Sequence, residues 1–309
     1  MNLKQKILQI KDSKTFSDKR LYLLDSLTTK HGFLFGDNKL YYVVKSQGLE
    51  SESIKTTYLS LQTNIYLNTI DDSPSFKPDY YDLLIYTGNF EETFFESFIE
   101  LCIMYTKSMT ILTLSDFFYS LLKLFEIPKE TSYSNLIGLF GELSLIKYIY
   151  DSYNIDMAKY WHNSLGTNDK YDFSLRDFNL EVKTTTKESM IFEIKHSQIF
   201  NEKTNYIALI RIQNDNSGLS IADLFDFFKT TDNFATNINF WINLQKEKLK
   251  VNPFDFLTIK LSFININFFL NKDLETLENI PDCIEKISYI YNFTGKRRTD
   301  ILEIVNGIK

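Results

Sequence analysis

The chain has 309 residues, a net charge of −6 and 44% hydrophobic residues, with 27 Phe and 19 Tyr. So much apolar material excludes wholesale disorder, and the length fits one large or two modest domains. The acidic balance excludes a protein that coats nucleic acid along its length, yet it permits local basic surfaces.

Residues 1–30 read as one or two helices, with Lys4, Lys6, Lys11, Lys14, Lys19, Arg20 and Lys30 supplying a basic side. Residues 31–46 form a hairpin pattern whose turn is Gly36-Asp37-Asn38-Lys39. Strands are predicted over 63–69 and 81–87, with Pro74 and Pro78 punctuating the loop between them. Helices follow over 91–106 and 115–126, the second capped by Ser115-Asp116, and Pro128 closes the pair. Residues 1–130 are thus expected to be a β-rich module with trailing helices and no chemical motif. Tyr80 and Tyr81 could stack on bases, but core packing suits an aromatic-rich chain better. From Asp71 to Glu100 there are eight acids against the single Lys77, a stretch expected to face away from nucleic acid or toward a basic partner.

Residues 131–215 hold the chemistry. The stretch 138–151 (GLFGELSLIKYIYD) has a helical period and no proline. Leu139, Leu143, Leu145, Ile146, Ile149 and Tyr150 fall on one arc, and Gly141, Ser144, Lys147, Tyr148 and Asp151 on the other. Glu142 lies within the apolar arc. A buried carboxylate must be neutral or have a cationic partner. Gly141 beside it would let the helix approach another backbone closely.

Residues 171–186 (YDFSLRDFNLEVKTTT) read as two strands joined by a turn. With the turn centred on Asp177 and Phe178, Asp172 falls opposite Lys183, Ser174 opposite Glu181, Phe173 opposite Val182 and Leu175 opposite Leu180. One face is then apolar, and the other carries two carboxylates and an ammonium. Close carboxylates repel unless a cation sits between them. Hard oxygen ligands suit Mg²⁺, with Mn²⁺ as a substitute, and a neighbouring Lys can hold water or a phosphoryl oxygen. That combination suits phosphodiester hydrolysis. A salt-bridged, solvated outer face is the plain alternative.

The order of a helix with Glu142, a Trp and a Gly ahead of Asp172, then LEVKTTT and HSQI, resembles the PD-(D/E)XK nuclease superfamily. More narrowly, it is similar to a bacterial family of PD-(D/E)XK proteins found among restriction and phage-defence genes, over roughly residues 135–212. The resemblance implies a restriction-endonuclease-like core, an α/β (α+β) fold with a mixed central sheet flanked by helices. It implies catalytic roles for Glu142, Asp172, Glu181 and Lys183. Asp172, Glu181, the Val182 carbonyl and Glu142 would hold Mg²⁺, and Lys183 would position the attacking water. Trp161, Gly166, Thr184 and Gln198 match less specific positions, with Gln198, Thr184 and His196 as candidates to support the site from behind. Where that family tends to place His-Glu-Ile, this chain has Phe192-Glu193-Ile194, so any role of that histidine is absent or moved to His196. His162 and His196 lie near the motif but have no zinc-ligand spacing, and they read as surface or supporting residues.

Beyond the hairpin, a strand near 190–194, a short helix near 196–201 and a strand over 206–212 complete the expected core. Residues 216–309 are expected to be an α+β extension packed on it, with a helix near 274–277, a strand over 287–293 and a closing helix over 298–305. Lys296, Arg297 and Arg298 make a second basic spot. Cys102 and Cys283 make no disulfide framework, and neither a secretory leader nor an apolar run of about 18 residues is present, so a cytoplasmic protein without membrane contact is expected. The expected function is a Mg²⁺-dependent DNA endonuclease of restriction or defence type, with protein partners of such a system and a homodimer as its candidate associations. Two alternatives remain: a catalytically silent nuclease fold that binds DNA or scaffolds a defence complex, and an interaction module whose acidic 71–100 face binds a basic partner.

Overall fold

The structure is a computed structural model, and it describes all residues except 1–2, 13–20, 49–50, 68–76, 91–92, 109–112, 126–131, 163–170, 201–202, 278–279, 282–283, 285 and 309. Gly166, Cys283, Pro74, Pro128, Lys14, Lys19 and Arg20 therefore lie outside the described residues. The chain divides into two units, Met1–Pro128 with Thr236–Gln245, and Lys129–Ala235 with Lys246–Lys309.

In the first unit, α1 (Leu3–Asp12) precedes β1 (Tyr22–Ser26), β2 (His31–Gly36), β3 (Lys39–Lys45), β4 (Ser53–Lys55), β5 (Leu59–Leu67) and β6 (Asp79–Tyr86). These strands form a six-stranded antiparallel sheet in the order β1-β2-β3-β6-β5-β4. Of the 1–30 stretch expected as one or two helices, Leu3–Asp12 is helical and Tyr22–Ser26 is instead the strand β1. The β2–β3 turn is Asp37-Asn38, with φ of 50° and 54°, as a two-residue hairpin of right-handed twist requires. Helices α2 (Thr93–Lys107) and α3 (Leu114–Phe125) follow. The α3 cap is Thr113 rather than Ser115: its hydroxyl accepts from the Asp116 N–H at 3.1 Å and donates to Asp116 Oδ2 at 2.6 Å. Tyr81 is buried, while Tyr80 is exposed and packs edge-on to Tyr66.

The second unit opens with α4 (Tyr133–Tyr153), capped by Ser132, whose hydroxyl accepts from Asn135 N–H, and ended by Asn154 at φ 54°. Then come β7 (Phe173–Ser174), β8 (Phe178–Thr185), β9 (Ile191–Lys195), α5 (His196–Ile199) and β10 (Thr204–Leu219). Helices α6 (Ile221–Thr230), α7 (Asp232–Ala235), α8 (Ile238–Lys248) and α9 (Pro253–Thr258) lead to β11 (Leu261–Leu270), β12 (Ser288–Asn292) and α10 (Ile301–Ile308). The result is a mixed α/β fold whose four-stranded sheet runs β11-β10-β8-β7, with β8 and β10 parallel and the outer pairs antiparallel. Strands β9 and β12 pair separately as a two-stranded ribbon. Buried on both faces, β10 reads as a continuous apolar run from Tyr206 to Ile210, as parallel strands do.

The boundary expected at residue 215 falls inside β10, which runs on to Leu219 and takes β11 as its partner. Core and expected extension share one sheet. Residues 236–245 instead join the first unit, where Gln245 accepts from Ser97 Oγ at 2.8 Å and donates to Glu100 at 2.8 Å. The helix expected at 274–277 does not form; a single 3₁₀ turn at Asn271–Asp273 stands before it.

Two local expectations need correction. The hairpin pairs Phe173 with Leu180 and Ser174 with Asn179, two residues away from the expected register. Leu175 N–H bonds the Phe178 carbonyl at 3.0 Å, so the turn is Arg176-Asp177. A shift of two leaves both faces unchanged, so the alternation fixes only the parity of the pairing. The polar arc of α4 is also less exposed than expected, since Gly141 and Ser144 are buried. Tyr150 packs on Phe234 of α7, Lys147 lies over Phe227 of α6, and Tyr148 stacks on Phe263 of β11, so neighbours cover the helix on several sides.

Candidate metal centre

The site is assembled where α4 meets the hairpin. A Cβ built on Gly141 would lie 1.9 Å from Thr184 Oγ1, so only glycine admits β8 this close to the helix. That approach carries Glu142, the next residue, to the hairpin's edge. Strand β7 is paired on both sides: Phe173 meets Leu180 on one flank and Trp161 on the other. His162 N–H bonds the Asp172 carbonyl at 2.9 Å. The 161–162 segment is thus laid along β7, with His162 at φ 44°, a conformation that costs a non-glycine residue of order 1–3 kcal/mol and that tends to cluster at functional sites.

Glu142, His162 and Asp172 each offer a ligand atom, and these atoms all lie within 4.8 Å of one another. Glu142 Oε2 accepts from Trp161 Nε1 at 2.7 Å and sits 3.3 Å from His162 Nε2. Asp172 Oδ2 accepts the Val182 N–H at 2.7 Å, which ties the acid to the centre of β8. Burial, together with the charges of Glu142 and Glu181, holds the Asp172 carboxyl well above the usual carboxylate range; the Val182 N–H and Lys183 oppose this only in part. Glu181 is buried, and desolvation raises its pKa as well, against the opposing pull of Lys183 and a hydrogen bond from Gln198. Lys183 Nζ lies 2.7 Å from Glu181 Oε1.

The structure therefore brings Glu142 and Asp172 together directly. Glu181 is coupled to both through its charge, while its own carboxylate is held by Lys183 and Gln198. Gln198 is buried in the first turn of α5; its side-chain oxygen accepts Lys195 N–H at 3.1 Å. An asparagine network anchors this corner: Tyr171 Oη donates to the Ser197 carbonyl and accepts from Asn205 Nδ2, each at 3.0 Å, and Asn205 accepts from Asn179 at 2.8 Å. Thr184 sits against Gly141. His196 is placed elsewhere, with Nδ1 2.6 Å from Tyr289 Oη and its ring stacked on Phe200. A second Glu-x-Lys triplet, Glu193-Ile194-Lys195, lies on the β9 ribbon, paired with β12.

Sequence reasoning gave His162 no ligand role and left Trp161 without a partner. A buried indole needs an acceptor for its N–H, and the nearby unexplained acid on α4 was the available signal. The imidazole gave no comparable sign, because its position depends on the bridge between Trp161 and Phe173.

The donor set fits a divalent cation. Two carboxylates and an imidazole converge within 4.8 Å, a third carboxylate adds charge, and burial makes their mutual repulsion costly without a counter-ion. No helix among the described residues is long and apolar enough to cross a membrane. No curated protein and no solved structure matches the chain. Residues 115–250, a stretch containing every residue of this cluster, match the model of a family described as "Putative PD-(D/E)XK family member".

Proposed function

We propose that the chain is a divalent-metal-dependent endonuclease that hydrolyses DNA phosphodiester bonds, of restriction or defence type. The observation that carries this reading is the meeting of Glu142 and Asp172, from α4 and the β7–β8 hairpin, beside the Glu181–Lys183 pair. Glu142, Asp172 and His162 would hold the ion, with Glu181 and the Val182 carbonyl at its margin. The imidazole makes Mn²⁺ at least as suitable as Mg²⁺. The ion, when bound, supplies Lewis-acid polarisation of the phosphoryl oxygen. Trp161 orients Glu142 through its N–H, and Gln198 orients Glu181. Held by Glu181, Lys183 keeps further ammonium protons for a water or a phosphoryl oxygen, and so orients the attacking water and offsets developing negative charge.

The test is hydrolysis of plasmid and single-stranded DNA by the full chain in Mg²⁺ or Mn²⁺, with Lys183→Ala as control. Metal-dependent cleavage that Lys183→Ala removes supports the reading. Cleavage that survives the substitution rules out the mechanism.

A further inference from the structure

The sheet face that carries Glu181 and Lys183 continues into a cationic cavity. The ladders set Glu181, Ile207 and Phe269 in one row across β8, β10 and β11. The next row on that face is Lys183, Leu209 and Asn267, and the one after it is Thr185, Arg211 and Asn265. Burial falls away from row to row. Ile207, Leu209 and Phe269 belong to a core cluster with Ile194 and Phe293, Asn267 and Arg211 are half-buried, and Asn265 is exposed. Past Arg211 the β10–β11 ladder slips by one residue, a bulge of the kind found beside functional sites.

At this polar end lies a cavity of about 130 Å³, lined by Arg211, Asn265 and Asn267 from the sheet and by Lys187 and Arg298 around it. A cavity of about 150 Å³ takes up a benzene molecule, so there is room for one phosphoryl group. Three cations line it against one acid, Glu188, in a chain whose net charge is −6. Glu188 is largely exposed and takes Arg211 Nη2 at 2.8 Å; Arg211 Nε is buried and has no hydrogen-bond partner among the described residues. Arg298 is set in place by its neighbour Thr299, whose N–H bonds the Phe268 carbonyl at 2.8 Å.

We propose that this cavity receives a phosphodiester of the nucleic-acid strand, flanking the one presented to the acidic cluster. This rests on the nuclease reading above for its substrate class. Lys183 and Arg211 lie two residues and one strand apart, about 8 Å between Cα atoms by strand geometry, a span their side chains can bridge between neighbouring phosphates. A guanidinium fork matches phosphate oxygens in pairs, and asparagine amides add neutral donors that position a backbone without reading its sequence.

The test is fluorescence anisotropy of the full chain with a short labelled duplex and the matching single strand, in EDTA so that nothing is cleaved, across a KCl series. Arg211→Gln/Arg298→Gln is expected to weaken duplex binding about tenfold or more at low salt and to reduce the slope of log K against log salt by about 1–2. Circular dichroism checks the fold; if the double variant unfolds, the exposed Arg298→Gln alone should reduce the slope by about 1. A folded variant with unchanged affinity and slope overturns the proposal. So does a wild-type chain that binds inorganic phosphate, by titration, but neither oligonucleotide. Hydrolysis in Mg²⁺ with an unchanged salt slope would sink the cavity alone, whereas a cavity-dependent slope without hydrolysis would sink the nuclease reading alone.

Discussion

The two larger sheets of this molecule treat polar groups in opposite ways. In the six-stranded sheet one such polar cluster is neutral and matched: Tyr42 Oη meets His31 Nδ1 and Thr106 Oγ1, each at 2.8 Å. Burial raises the Tyr42 pKa and lowers that of His31, so both stay uncharged. Around the four-stranded sheet, carboxylates from α4 and the β7–β8 hairpin are pressed together, and Lys183 balances them only in part. Crowding of like charge is costly, and a fold that retains it does so where the charge has work to do.

The contrast breaks most visibly on substitution. Lys183→Ala should lower DNA hydrolysis on the order of 10²–10³-fold while leaving the fold intact. Tyr42→Phe should leave hydrolysis unchanged and cost about 1 kcal/mol of stability, read from denaturant melts. Equal losses of activity in the two variants would erase the distinction between the sheets. A smaller effect tests the contact that builds the site: Gly141→Ala should destabilise the chain by about 1–3 kcal/mol, because its Cβ would fall 1.9 Å from Thr184 Oγ1. Adding Thr184→Ala should recover part of that loss; no recovery would place the strain elsewhere.

The smallest effect concerns pH. With the Asp172 pKa raised above its ordinary 3.8, the folded chain holds that proton more tightly than the unfolded chain does. Metal-free stability should therefore be greatest at acid pH on this account and decline as pH rises from about 3.8 through the raised value. Asp172→Asn removes the penalty, so its melting temperature without metal should exceed the wild-type value at neutral pH by a few degrees. A lower melting temperature there would contradict the electrostatic reading.

Part of the candidate site's geometry was legible in the chain. Glu142 among apolar positions, Gly141 beside it and the alternation of 171–186 each carry a local physical signature, and the structure places all three at one junction. Pairing register was not legible, because a two-residue shift preserves every face and only the Arg176-Asp177 turn selects between the options. His162 was missed for a related reason. Its place depends on an edge pairing with β7 and on a positive φ, neither of which leaves a periodic trace. The continuous sheet from β8 to β11 was hidden too, since the β10–β11 pairing joins segments separated by four helices. The arc of α4 that carries Lys147 and Tyr148 reads as polar in the sequence, yet it is covered by Phe227 of α6 and Phe263 of β11.

The central claim is that side chains from α4 and the β7–β8 hairpin form one divalent-ion site. Isothermal titration of Mn²⁺ into the metal-free full chain tests it most directly. The account predicts saturable binding that Glu142→Ala and Asp172→Ala each abolish, while Glu193→Ala on the β9 ribbon leaves it unchanged. Binding that persists in both acid variants, or a wild-type chain that takes up no Mn²⁺, would contradict it.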